Sequence, residues 1–253
     1  RSNKTRLPMA KLRVPSLQHL ARNWRNDPQR VKRILVQLAQ NAPTFNYDPL
    51  FSAVQDMLVF GQPYEQIVEG MRRGIRRPAV LANFLGVLPL IRDHFEGLTP
   101  SFVQSVDRRY YPVARGLLVP FQPPLIYGEA GRIHFPWFSF WRGNPIARER
   151  LALFVTLGED VLLQDPDLED AKFEILDFSA PAPKRPRELT VIDAADVPRI
   201  PSAQRAEMLA IFAEGFFLAQ EALADKTPQP RPDDRSGDDA SAGDQPGLFD
   251  PDR

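Results

Sequence analysis

The 253-residue sequence contains no cysteine. That absence excludes disulfides, thiolate metal sites and a cysteine nucleophile together. Histidine is scarce: His19, His94 and His134 stand far apart in sequence and at no metal-ligand spacing. No apolar run reaches membrane-spanning length, since LANFLGVLPLI is interrupted by Pro89 and closed by charges. The first 35 residues carry basic side chains without an apolar segment, so no signal peptide is expected. There is no Gly-x-Gly-x-x-Gly, no Gly-Lys-Ser/Thr loop and no Gly-x-Ser-x-Gly elbow. These absences lead to the expectation of a cytoplasmic chain that makes no membrane contact.

Net charge is also absent, but the zero is an average. Residues 1 to 116 carry 18 Lys/Arg against 8 Asp/Glu, and residues 117 to 253 carry 14 against 24. Asymmetry of this kind suggests contact with nucleic acid or an acidic partner. The candidate phosphate-contacting residues are Arg25, Arg30, Lys32 and Arg33, with Arg72, Arg73, Arg76 and Arg77 in GMRRGIRRP. The competing reading is an ordinary solvated face.

What is present is an α+β pattern, read as a helical region packed with an α/β domain. Residues 1–15 read as a basic arm and 16–112 as the helical region. Ser16 is a candidate cap for SLQHLARNW, and Asp27-Pro28 and Asp48-Pro49 each open a helix. The second runs LFSAVQDMLVFG and stops at Gly61. PYEQIVEGMRRGI, RPAVLANFLGVLPLIRDHFEG and PSFVQSVDRRYY read as further helices, the last ending at Pro112. Residues 113–225 form the α/β domain. LLVPF, PLIYG, RIHFPWFSFW, FEILDFS and ELTVID are β-rich, ARERLALFVTLGEDVLLQ is helical, and Ser202 is a candidate cap for the last helix. Residues 226–253 are a tail too poor in apolar side chains to fold.

The stretch PPLIYGEAGRIHFPWFSFWRGNP stands out, with five aromatics in the seven residues from Phe135 to Trp141. Alternation places Phe135, Trp137, Ser139 and Trp141 on one face and His134, Pro136, Phe138 and Phe140 on the other. A strand apolar on both faces is a central strand covered by helices, although Pro136 argues for a bulge or an edge. A second use for the aromatics is a cleft, with Trp137, Phe138 and Trp141 holding a peptide or a base.

The hairpin and its order (helix, three strands, helix, strands, helix from Pro100 onward) resemble the RecB-type PD-(D/E)xK nucleases over about residues 100–178. Pro123-Pro124 stands where that family carries Pro-Asp. Ser139-Phe140-Trp141 stands where it carries Asp-x-Lys, and Arg142-Gly143-Asn144-Pro145 resembles the turn that follows. The resemblance implies a nuclease-like fold acting on DNA. It implies no chemistry here, because Pro124, Ser139 and Trp141 cannot hold Mg²⁺ or orient a water. No cofactor is therefore expected, and catalytic residues are expected to be none. Mg²⁺ enters only if acids come from elsewhere, with Asp165, Asp167 and Asp177 as the candidates. The D-x-D-x-E spacing within EDVLLQDPDLEDAKFEILD lacks the glycine and distal glutamate of an EF-hand loop. A third class is a regulatory interaction module without nucleic acid.

The tail ends in QPGLFDPDR, and Gln245, Leu248 and Phe249 resemble the peptide with which bacterial polymerases and repair factors bind the replication sliding clamp. Pro246 departs from the residues usual at that position. The resemblance implies a clamp partner reached by a flexible tether.

Overall fold

The computed structural model describes residues 12–41 and 46–225. Gln245, Leu248 and Phe249 and most of the basic arm lie outside the described residues. Six helices come first: α1 (Leu17–Asn23), α2 (Pro28–Gln40), α3 (Asp48–Leu58), α4 (Tyr64–Gly74), α5 (Pro78–Leu85) and α6 (Leu88–Phe95). The Asp27 carboxylate caps α2 by accepting from the Gln29 amide at 2.9 Å, and Pro28 fills the first helical position, where no amide is needed. Ser16 precedes α1, but its hydroxyl meets His19 Nδ1 at 2.7 Å rather than a backbone amide. RPAVLANFLGVLPLIRDHFEG is two helices, parted at Gly86 and Val87 with Pro89 at the start of α6.

The helix expected over PSFVQSVDRRYY is absent. That segment forms β1 (Phe102–Gln104) and the start of β2 (Arg109–Ala114), so a strand runs across residue 112, where the helical region was expected to end. β1 takes its partner from distant sequence, whereas β2 pairs with the strand that directly follows it. Phe102 pairs opposite Gly128, and a Cβ on Gly128 would lie 2.4 Å from the Phe102 ring. β2 pairs with β3 (Leu117–Phe121) in a separate two-stranded sheet. Tertiary pairing has overridden a local pattern, as it commonly does for β-branched and aromatic residues.

The main sheet has the order β1-β4-β5-β6-β7, with β4 (Ile126–Glu129), β5 (Arg132–Ser139), β6 (Lys172–Asp177) and β7 (Thr190–Asp193). β5 and β6 are parallel and the other pairs antiparallel. The crossover between β5 and β6 is α7 (Glu149–Leu162), as a parallel connection requires. The last helix is α8 (Ser202–Ala224). Ser202 is its first residue and makes no side-chain cap. α8 packs along α2, where Gly215 meets Val31 so closely that a Cβ would fall 2.5 Å from it.

β5 is the middle strand of the sheet, but at Pro136 it is paired only with β6, so its other side is locally an edge, and no bulge breaks the β5–β6 register. The missing amide of Pro136 is tolerated because β4 pairs with β5 only as far as His134. The two apolar faces of β5 are both covered. Phe135 and Trp137 pack on Phe121 of β3, and Trp137 also meets Phe154 of α7. On the other side Phe138 meets Phe51 of α3 and Phe95 of α6, and Phe140 meets Phe51 and Tyr47.

Candidate functional site

Parallel strands end on the same side of a sheet, and open α/β sheets bind ligands outside those ends. β5 ends at Ser139 and β6 at Asp177, which stand opposite each other in register. The Phe178 amide donates to the Ser139 carbonyl at 3.0 Å and continues the pairing by one residue. Asp177 is buried at 5% exposure. Its carboxylate accepts from the Ser179 amide at 3.1 Å and from the Ser179 hydroxyl at 3.0 Å. Burial raises the Asp177 pKa above the ordinary carboxylate value, opposed by donors from Ser179 and Ser139 and by the charge of Arg187.

Ser139 and Asp177 line a cavity of about 10 Å³ with Trp137, Asn144 and Phe154, room for about one water. The Trp137 Nε1 is buried and makes no hydrogen bond. Asp177 is the one carboxylate among the lining residues. Pro124 is buried but is not part of the lining.

Arg187 holds the residues that follow β5 and β6. Its Nη1 donates to the carbonyls of Phe140 (3.0 Å), Trp141 (3.1 Å) and Phe178 (2.8 Å), and its Nη2 to Asn83 Oδ1 at 2.6 Å. Arg187 is 6% exposed. Burial lowers its pKa, with Tyr47 the leading opposing influence. Conversely, burial raises the Tyr47 pKa while Arg187 opposes the rise. One side chain thus ties the exits of β5 and β6 to α5.

The expected aromatic cleft is not open. Trp137, Phe138 and Trp141 are 4%, 0% and 2% exposed, and they pack as core for the physical reason given above: both faces of β5 are roofed. Trp141 lies under α1, with its ring against His19 at 5.7 Å and the Arg22 guanidinium 5.3 Å from its centroid.

The alternative acids are not brought together. Asp177 ends β6, whereas Asp165 and Asp167 lie in the turn that leads into its start, so the length of a six-residue strand, roughly 17 Å, separates them. Asp165 is engaged by Arg109 at 2.5 Å, which with the Asp167 amide holds its pKa below the usual carboxylate range. Among the described residues no group of three or more His, Asp or Glu is placed to hold a metal ion.

The eight candidate phosphate contacts fall into two patches. Arg30, Lys32 and Arg33 lie on α2, which packs on α8, and Arg25 precedes it. Arg72 and Arg73 end α4, and Arg76 and Arg77 lead into α5. Arg30 is within 3.8 Å of Asp27, and Arg73 meets Glu69 at 3.0 Å, both well exposed.

Sequence reasoning missed Arg187, Asn83 and the polar network at the opposite end of the strands. There Lys172 donates to Glu174 at 2.5 Å, His134 Nδ1 lies 3.3 Å from Glu174, and Tyr127 stacks on His134 at 4.9 Å. Alternation on FEILD could have flagged Glu174 as an inward acid, but nothing local marks its partners.

No protein-family model matches the chain, and no curated protein matches it.

Proposed function

We propose that this chain is a non-catalytic, DNA-associated accessory protein, with a nuclease-like α/β fold that has lost its metal site. The observation that carries the reading is the closed end of β5 and β6. Where the resemblance calls for two acids and a lysine around a metal, Asp177 stands as one carboxylate, beside Ser139 and buried aromatics. A carboxylate whose pKa is raised by burial, with water-sized space beside it, is a poor ligand for a hydrated Mg²⁺. Of the order the resemblance rests on, the hairpin β4–β5, the helix α7 and the strand β6 follow one another as expected, whereas the helix placed at Pro100 is strand and LLVPF pairs in the separate two-stranded sheet.

The mechanism is tethering in the cytoplasm. The basic patches on α2 and at the end of α4 contact phosphates, and the tail with Gln245, Leu248 and Phe249 recruits the chain to a sliding clamp. No helix among the described residues is long and apolar enough to cross a membrane. The test is a binding titration with duplex DNA. A steep fall of affinity with salt, without Mg²⁺-dependent cleavage, is the expected result. Salt-independent binding, or none, removes the DNA partner. Clamp capture that is unchanged in Leu248→Ala and Phe249→Ala removes the recruitment step.

A further inference from the structure

The two parallel strands leave the sheet through loops that carry cations and no acids. Residues 140–148 hold Arg142 and Arg148, and residues 178–187 hold Lys184, Arg185 and Arg187. The loops are joined. The Ala180 amide donates to the Arg142 carbonyl at 2.7 Å, and Arg142 Nη2 lies 3.5 Å from the Arg185 carbonyl. Arg142, Lys184 and Arg185 are exposed, whereas Arg187 is buried. Arg109, Arg199 and Arg205 each hold a carboxylate elsewhere in the fold. Among the described residues no carboxylate lies within ion-pair distance of Arg142, Lys184 or Arg185. The bordering acids are Asp177, buried and held by Ser179, and Glu149 and Glu188, both exposed.

The backbone holds one of these cations out under strain. The Arg185 amide donates to the Ala182 carbonyl at 3.1 Å and closes a turn with Pro183 and Lys184 at its corners. Proline fixes a negative φ at the first corner and Lys184 takes φ 64° at the second, so the turn is type II. That second corner favours glycine, which adopts positive φ without steric cost. Three non-glycine residues among those described have positive φ: Ala130 turns the β4–β5 hairpin, and Arg148 and Lys184 are cations on these loops. Strain of this kind gathers where a side chain is needed for binding. The rim also continues a basic patch. Arg187 donates to Asn83 of α5, six residues and roughly 9 Å along the helix from Arg77.

We propose that Arg142, Lys184 and Arg185, on the two loops that leave β5 and β6, bind the phosphate backbone of a nucleic acid laid across the closed end of the sheet. This inference rests on the DNA-associated reading above and locates its contact surface. A row of phosphates supplies the charged acceptors that the fold withholds from all three side chains, and each guanidinium can take a phosphate with two parallel hydrogen bonds. The backbone then runs from this rim towards Arg76 and Arg77, which precede α5.

The experiment uses the full chain and measures affinity against salt for a labelled DNA duplex and, separately, a labelled single-stranded RNA. In the triple variant Arg142→Gln, Lys184→Gln and Arg185→Gln, the slope of log K against log salt for the duplex should fall by about three, one for each lost phosphate contact. The melting temperature should stay at the wild-type value. The exposed control Arg115→Gln with Arg132→Gln should leave the slope unchanged. Lys184→Gly relieves the turn, so it should melt higher than the wild type and lower the slope by about one. A higher melting temperature with an unchanged slope makes Lys184 a mere turn residue and overturns its place in the surface. A wild type that binds duplex, with the same slope in the triple variant, refutes the rim and leaves DNA association to the patches on α2 and α4. RNA binding without duplex binding, with a slope that falls in the triple variant, upholds the rim and removes the DNA reading. Binding of neither probe overturns both.

Discussion

At the start of the β5–β6 pair, Lys172 lies 2.5 Å from Glu174 and 3.8 Å from Asp193, and His134 stands against the same Glu174. At its other end Asp177 is held by serine donors, and Arg187 by three carbonyls and an amide oxygen. The first end answers charge with charge, and burial there raises the pKa of Tyr127 and lowers that of His94. The second keeps an acid with a raised pKa and an arginine with a lowered one, which sense each other without an ion pair. The second end adjoins a cavity too small for substrate, which fits the proposed loss of a metal site.

The largest expected effect lies between the two ends. Phe138 is fully buried among Phe51, Phe95, Phe140 and Phe178. Phe138→Ala should cost about 3–5 kcal/mol in denaturant unfolding, the range for a fully enclosed phenylalanine. A loss below about 1 kcal/mol would mean that the core around β5 is not closely packed.

Next comes the pair that sets one end against the other. Arg187→Met strands three carbonyls and Asn83, and should cost about 3 kcal/mol. Lys172→Met should cost about 1 kcal/mol, because Lys172 is partly exposed and His134 remains beside Glu174. Equal losses in chemical denaturation would erase the distinction between the two ends.

Asp177→Asn probes the sign of the burial effect. The folded chain binds the Asp177 proton more tightly than the unfolded chain does, since burial raises the folded-state pKa. The ionised carboxylate therefore disfavours folding above the raised value, and this penalty disappears below the unfolded value. Asp177→Asn should match the wild type at acid pH and exceed it as pH rises through that window. A stability difference that moves the other way with pH would show the serine donors and Arg187 outweighing burial. The smallest effect belongs to Arg72→Ala on the exposed end of α4, within about 0.5 kcal/mol in the same assay.

Much of this comparison was legible before the fold was known. Pro and Asp at the helix starts placed α2 and α3. Continuous apolar runs placed β3 to β6, and apolar residues on both faces of RIHFPWFSFW implied a covered strand. The sequence left open whether its aromatics were roof or cleft, because the covering helices α3 and α6 lie far away in the chain. β1 and β2 were read as helix because what makes them strands is supplied by Gly128 and by β3. Asp177 was visible as the end of an apolar run. Nothing local marks Arg187, in a proline-rich stretch before β7, as a buried residue, because the carbonyls it holds come from the ends of β5 and β6.

The central claim is that the end of β5 and β6 belongs to a protein that holds DNA and does not cut it. Incubating the full chain with labelled duplex and Mg²⁺ tests this most directly. The account predicts duplex that is retained intact, with affinity falling steeply as salt rises. Metal-dependent cleavage that disappears in Asp177→Asn would contradict it.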